Sequence, residues 1–447
     1  MKCRDWVNKG AIASLSAVIL SLLVALAMSG VSAVGFAPIK AMEKSSGDFT
    51  YRVAVSFFGT GGWSDSGEHR HIDPIVFLDI DEAGCEMLAA DPWDCRTNGV
   101  VHHEVLLFIA GGLAESGAKA IVFDTRLPDD HWDVEPDQQT ELFSAWQKIP
   151  SVLIAAMPGA PGRDNVFFAR DDALTGAPFM TFAPAVLFDN SGYSDGIVRN
   201  LDRSVLTQFS SDGSLETRAT IAFALLDKLG QTYERNEEEP IFFSLASTID
   251  NSAAYGSGWE RRALSRLVIK EQGRPKALQS GGLDGQIVLV GSSAAAAGDV
   301  HLTPLGTMAG PEILANIIRD VQMFPDRPDI GWLDKLTWKL VSLIPAVLIL
   351  VMTEFSSAYL GYRSKAKGWL GIKYFGLQAV LWTMAVSLTI VTTSYLSLYG
   401  LLANGSYELR GDLMLPIIAL FFEEFVRISS RFIVWFETRL AALVGGI

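Results

Sequence analysis

Residues Gln286–Gly306 read QIVLVGSSAAAAGDVHLTPLG. The opening run QIVLV reads as a buried strand, because a strand covered on both faces shows a continuous apolar run instead of alternation. A Gly-Ser-Ser turn follows, then four alanines, then Asp299, His301 and Thr303. Three readings compete for these residues. Ser292, Asp299 and His301 supply the residue types of a hydrolase, but a triad is a matter of geometry, and no Gly-x-Ser-x-Gly elbow stands here. Backbone N–H groups after a strand can cradle a phosphate, yet no lysine follows at P-loop spacing and there is no Gly-x-Gly-x-x-Gly. The third reading is architectural. Small residues from Ser292 to Gly298 permit close backbone packing, and Asp299 and His301 bond neighbouring backbone in a compact turn. A helix then opens near Pro311, where proline is tolerated in the first turn. This reading is preferred, and no catalytic residue is assigned.

The same grammar extends through the middle of the chain. PIVFLDID (Pro74–Asp81), AKAIVFDT (Ala118–Thr125), SVLIAAM (Ser151–Met157) and IFFSLAS from Ile241 all read as strands. Helix-like stretches lie at Val101–Ser116, Asp137–Lys148, Glu216–Leu229 and Pro311 to about Val321. Alternation of this kind predicts an α/β fold with a largely parallel sheet. Ligands of open α/β sheets favour the crevice at the carboxyl ends of the strands. That rule selects Asp79, Asp81, Glu82, Asp124, Arg126, Ser292 and Ser293 as lining residues, with Asp299 and His301 added from the closing loop. For each acid, capping a helix or bracing a turn is the commoner role.

The chain has 447 residues, of which 49% are hydrophobic, and a formal charge of −14. Its mean hydropathy is +0.26. The composition suits a membrane protein with a large water-exposed part, and the acidity argues against a nucleic-acid partner. Gly10–Ala37 carries no charge and is long enough to span a bilayer. Lys2, Arg4 and Lys9 before it, and Val31-Ser32-Ala33 within it, also fit a cleaved secretory signal. Three further candidates are Leu336–Leu360, Tyr374–Leu402 and Leu413 to about Val434, the last broken by Glu423, Glu424, Arg427 and Arg431. Basic clusters at Lys2–Lys9, Arg363–Lys373 and Arg427–Arg439 fall on one side if about four helices span the membrane, as the positive-inside rule requires. The expected organisation is therefore residues 1–37 as a cytoplasmic tip and first helix, 38–334 as an extracytoplasmic domain, and 335–447 as three helices with short loops. In that compartment Cys85 and Cys95, ten residues apart, suit a disulfide as well as a pair of free thiols. His69 and His71 in EHRHID share a face if that segment is a strand, a weak metal or pH-sensing pattern against which surface histidine is the ordinary reading. No cofactor is expected.

Several stretches resemble, in order, the CHASE2 extracellular sensor domain of bacterial signalling proteins. IVFLDIDEAG, DPWDCR, GAKAIVFDTRL and SDGIVRN look like successive motifs of that family, and Leu283–Ile318 closely matches its closing signature. Together they cover about Tyr51 to Asp320. The resemblance implies one membrane helix before the domain and three after it, in an inner membrane with the domain outside. It also implies non-enzymatic sensing and dimer formation. Family members commonly carry a cytoplasmic kinase or cyclase. The chain stops soon after the fourth apolar segment, so the expected partner, besides membrane lipid, is a separate signalling protein. An accessory or scaffold subunit of a larger membrane complex is the alternative.

Overall fold

The computed structural model describes residues 73–88, 103–124, 144–149, 151–156, 180–184, 203–208, 215–234, 259–293 and 299–325, with positions 48, 52, 141, 198 and 241. The chain divides into two compact units, Gly59–Arg327 and a unit joining Met1–Phe58 to Pro328–Ile447. All four apolar segments lie outside the described residues. Among the described residues no helix is long and apolar enough to cross a membrane.

The unit Gly59–Arg327 is built on a six-stranded sheet. Its strands are β1 (Ile75–Asp79), β2 (Ala120–Asp124), β3 (Val152–Ala156), β4 (Met180–Pro184), β7 (Trp259–Ala263) and β10 (Ile287–Gly291). They lie in the order β4-β3-β2-β10-β1-β7, and every ladder is parallel. Parallel strands need helices on both faces, and the burial pattern meets that need. All five residues of β1 and all five of β10 are buried. Successive side chains alternate between two apolar layers. Val76, Leu78, Ile121, Phe123, Val288 and Val290 join one core with helix α2 (His103–Leu113) and the buried Trp146. Helix α1 (Glu82–Leu88) adds Cys85 to the same layer. Each fully buried branched or aromatic side chain contributes about 1.5–3 kcal/mol.

Gly291 belongs to the opposite face, where an added Cβ would lie 3.3 Å from Pro311 Cβ. That proline opens α5 (Gly310–Met323), which packs on β10 and β1 beside α3 (Ile221–Lys228). Glu312 Oε2 accepts the Ala309 N–H at 3.1 Å, satisfying a donor at the helix start. Every residue of α5 from Gly310 to Gln322 is buried, as expected of a helix covered on all sides. Its far end is held by Asp73, 1% exposed, which accepts bonds from Gln322 (3.1 Å), Gln231 (3.1 Å) and Lys119 (2.8 Å).

Two sequence expectations are corrected. Glu216–Leu229 is not one helix: β6 (Leu215–Ala219) pairs antiparallel with β5 (Ser204–Gln208), and α3 starts only after Thr220. Pairing with β5 overrides the helical preference of Leu215, Glu216, Arg218 and Ala219. The Asp299–Gly306 stretch is not a simple turn. β11 (Val300–Thr303) and β12 (Gly306–Ala309) form a hairpin. Thr303 Oγ1 donates to the Gly306 carbonyl at 2.7 Å, and Gly306 takes φ +117°, which favours glycine. The hairpin of β8 (Val268–Glu271) and β9 (Arg274–Leu278) had no counterpart in the sequence reading. It packs on α2, where Gly112 leaves room for Leu278.

Candidate functional site

β1, β7, β10 and β2 end together along one edge, so their C-terminal residues converge. Asp79 closes β1 and is fully buried. Its carboxylate accepts the Ser293 N–H at 2.7 Å, the Ser293 hydroxyl at 2.9 Å and the Arg261 Nε–H at 3.0 Å. A further bond comes from Arg261 Nη2, which also donates to Ser293 Oγ at 2.6 Å. β7 supplies this arginine, level with Phe77 in the parallel register. A buried carboxylate needs such a full set of donors, since an unpaired one costs several kcal/mol.

Asp81 lies against the first turn of its own helix and reaches from there to a second one. Its carboxylate accepts the Ser265 N–H at 2.8 Å and the Ser265 hydroxyl at 2.5 Å, at the start of α4 (Leu264–Leu267). Gly84 makes the approach possible, because an added Cβ would fall 2.8 Å from both Leu264 Cβ and Ser265 N. Ser292 donates to the Ile80 carbonyl at 3.0 Å, next to the Ile80 N–H bond to the Gly291 carbonyl at 2.7 Å. These two contacts tie the chain leaving β10 to the chain leaving β1. Glu82 begins α1.

Asp124 closes β2 on the α5 side of the sheet. It keeps some accessible surface, but its carboxyl is pushed up to about 8, first by burial and then by the negative charge of Asp299. Asp299 pairs with His301, Oδ1 to Nε2 at 2.8 Å, and the two side chains are 40% and 32% exposed. Of the predicted site residues that the structure describes, Glu82 is exposed, and Asp299 and His301 are half-buried. The Asp299 carbonyl also accepts the Gly310 N–H at 2.9 Å, joining the hairpin to the first turn of α5.

The sequence expectations thus divide by place. Asp79 and Ser293 meet directly, Asp81 and Ser292 brace the neighbouring turns, and Asp124, Asp299 and His301 form a second group. Arg126, His69, His71 and Cys95 lie outside the described residues. Cys85 is disulfide-bonded, and its partner also lies outside them. Arg261 and Ser265 were missed. The only signal was an arginine inside WERRA, and nothing in one sequence says which strand it neighbours. Among the described residues no group of three or more His, Cys, Asp or Glu side chains is arranged to hold a metal ion.

No curated protein and no solved structure gives a significant match. The CHASE2 domain does match, over residues 19–353. That span contains every described strand and helix, and runs into the apolar segments on either side. With well over half of its length matched, and with its Asp-ended parallel strands gathered around the closing signature, the chain belongs to the CHASE2 domain family.

Proposed function

We propose that this protein is a membrane-bound extracytoplasmic sensor that passes a signal through membrane helices to a separate partner. The observation that carries this reading is the family match, since CHASE2 is a family of extracellular sensory domains. The match starts inside the apolar segment Gly10–Ala37 and ends inside Leu336–Leu360. This supports a multi-pass topology, with one helix before the domain and three after it, in an inner membrane with residues 38–334 outside. An oxidising compartment agrees with a disulfide at Cys85, and we assign Cys95 as its partner. The role is binding and relay, without catalysis. The edge occupied by Asp79, Asp81, Asp124, Ser292, Ser293, Asp299 and His301, with Arg126 following β2, is the proposed place where a signal is received. Fully buried Asp79 forms its floor, and Asp299 and His301 its accessible part.

Purification of the full chain in mild detergent, followed by mass spectrometry, tests the reading. A copurifying kinase or cyclase is the expected result; a respiratory, transport or secretion complex in its place refutes it. That second outcome is the signature of an accessory subunit, a reading favoured by Glu423, Glu424 and Arg427 in the fourth apolar segment, which a partner helix would accommodate.

A further inference from the structure

The stretch Arg261–Lys276 holds six of the chain's lysines and arginines and only one acid, in a protein of 36 basic and 50 acidic residues. Arg261 and Arg262 are engaged inside the fold, with Asp79 and Glu260. Lys276 pairs with Glu271 in the β8–β9 hairpin at 2.8 Å. That leaves Arg266, Lys270 and Arg274. All three are exposed, and none makes an ion pair among the described residues. Ile269 lies within the same run, 47% exposed, one of two large apolar side chains open to solvent among the described residues.

The hairpin is held at its base. Every residue from Ile269 to Ala277 is exposed, whereas Leu278 is buried and Val268 packs against the core around α2. The tip is a two-residue turn, Gln272 at φ +53° and Gly273 at φ +81°, the left-handed pair that a tight hairpin requires. Such a turn fixes the arm before any partner arrives. Lys270 and Pro275 suffice to keep its edges from pairing with other strands. That purpose leaves Arg266 on α4 unexplained, and it would favour a polar residue in place of Ile269.

We infer that the β8–β9 arm, with Arg266 at its root, is a docking surface for an acidic segment of another polypeptide. Most of a chain with a formal charge of −14 repels such a partner, so the unneutralised cations fix where it docks. Ile269 adds the apolar contact that the centre of an interface needs. A plane of anionic lipid headgroups fits less well, because Glu271, 61% exposed, stands beside the turn, where such a plane would meet it first. The root of the arm is also tied to the candidate site, since Asp81 holds the Ser265 N–H and hydroxyl immediately before Arg266. This surface goes beyond the relay proposed above, and the absence of a copurifying kinase or cyclase would leave it standing.

Photo-cross-linking of the full chain, in membranes of the cells that make it naturally, tests the surface. A benzoylphenylalanine replaces Ile269, and adducts are mapped by mass spectrometry. The expected adduct joins position 269 to a net-acidic segment of another protein. Lys270→Glu together with Arg274→Glu should cut its yield about tenfold without moving the thermal melt, because both side chains are exposed. Exchanging two acids of the captured segment for lysines should restore the yield to the reversed chain. Should the double reversal lower the melt, Arg266→Glu decides the matter and should reduce the yield in the same direction. A probe in place of Leu302, 51% exposed on β11, should not capture that segment. An adduct with lipid, with a second copy of this chain or with a segment lacking net negative charge overturns the inference. So does the absence of any adduct, a yield unmoved by charge reversal, or capture of the same segment from position 302.

Discussion

Removing both partners of the Asp79–Arg261 pair should cost no more than removing either one. Asp79 is fully buried and Arg261 keeps 26% of its side chain exposed. Truncating one member of a buried pair costs about 3–5 kcal/mol, because the other charge is left without compensation. In Asp79→Leu, Arg261 can turn partly to water, which places the loss near the lower bound, about 3 kcal/mol. In Arg261→Met the carboxylate keeps its two Ser293 bonds, at 2.7 and 2.9 Å, so a similar loss is expected. Independent effects would add to about 6 kcal/mol in the double variant. Most of each loss is an uncompensated charge, however, so the double variant should lose no more than about 3 kcal/mol, giving a coupling of about 3 kcal/mol. Pulse proteolysis of the full chain across a urea series measures all four species. Single losses below about 1 kcal/mol, or a double loss equal to the sum of the singles, would refute the argument that Asp79 and Arg261 act as one buried unit.

Gly84→Ala should destabilise by about 1–3 kcal/mol through overpacking, because the new methyl meets Ser265 N and Leu264 Cβ at 2.8 Å; a thermal melt checks it. Gly291→Ala should behave alike, since the new methyl lands against Pro311 and 2.9 Å from the Asp124 carbonyl. Ser292→Ala loses one bond, to the Ile80 carbonyl at 3.0 Å, and should cost about 1 kcal/mol; ester and phosphate substrates should remain uncleaved by wild type and variant alike. Asp124 is raised from 3.8 in the unfolded chain to about 8 in the folded one, so its protonated form stabilises the fold. That stabilisation is complete below the lower value and is lost as pH climbs to the upper one. The stability of Asp124→Asn relative to wild type should therefore rise by up to about 1.4 kcal/mol per pH unit across that window, then level off, as urea titrations at several pH values would read. A difference that is constant with pH would show that Asp124 does not titrate there.

The central strands were legible because burial on both faces leaves its mark on a single sequence. IVFLD, AIVFD and IVLVG are apolar runs that end at the edge of the sheet. Outer pieces carry no such mark. RPKAL in β9 is exposed at four of its five positions, and WERRA in β7 places Glu260 on the surface, so neither shows the apolar run of a core strand. LETRA has residues that favour helices, and only its partner strand makes it a strand. The candidate site divides along the same line. Strand ends located Asp79, Asp124, Ser292 and Ser293, because a parallel sheet brings those ends to one edge. Arg261 and Ser265 reach Asp79 and Asp81 from 182 and 184 positions along the chain. No local pattern encodes which distant strand arrives there.

The position of β10 explains why so much of this edge is satisfied from within. β1 and β2 are successive strands, yet they are separated in the sheet by β10, which arrives only after β3, β4 and β7 have been laid down. The chain leaving β10 must therefore pass between two strand ends that each carry an aspartate, Asp79 on one side and Asp124 on the other. Open α/β sheets leave a crevice where neighbouring strand connections part, and ligands favour it. Here Ser293 enters that ground and bonds Asp79, Ser292 bonds the Ile80 carbonyl, and Pro311 packs on Gly291. The two aspartates consequently meet different fates. Asp79 is neutralised by Arg261 within the protein. Asp124 has a second carboxylate for its neighbour, and that carboxylate belongs to the hairpin leading directly into α5. Asp299 and His301 stay partly open to solvent, whereas the Asp79–Arg261 pair closes on a fully buried carboxylate.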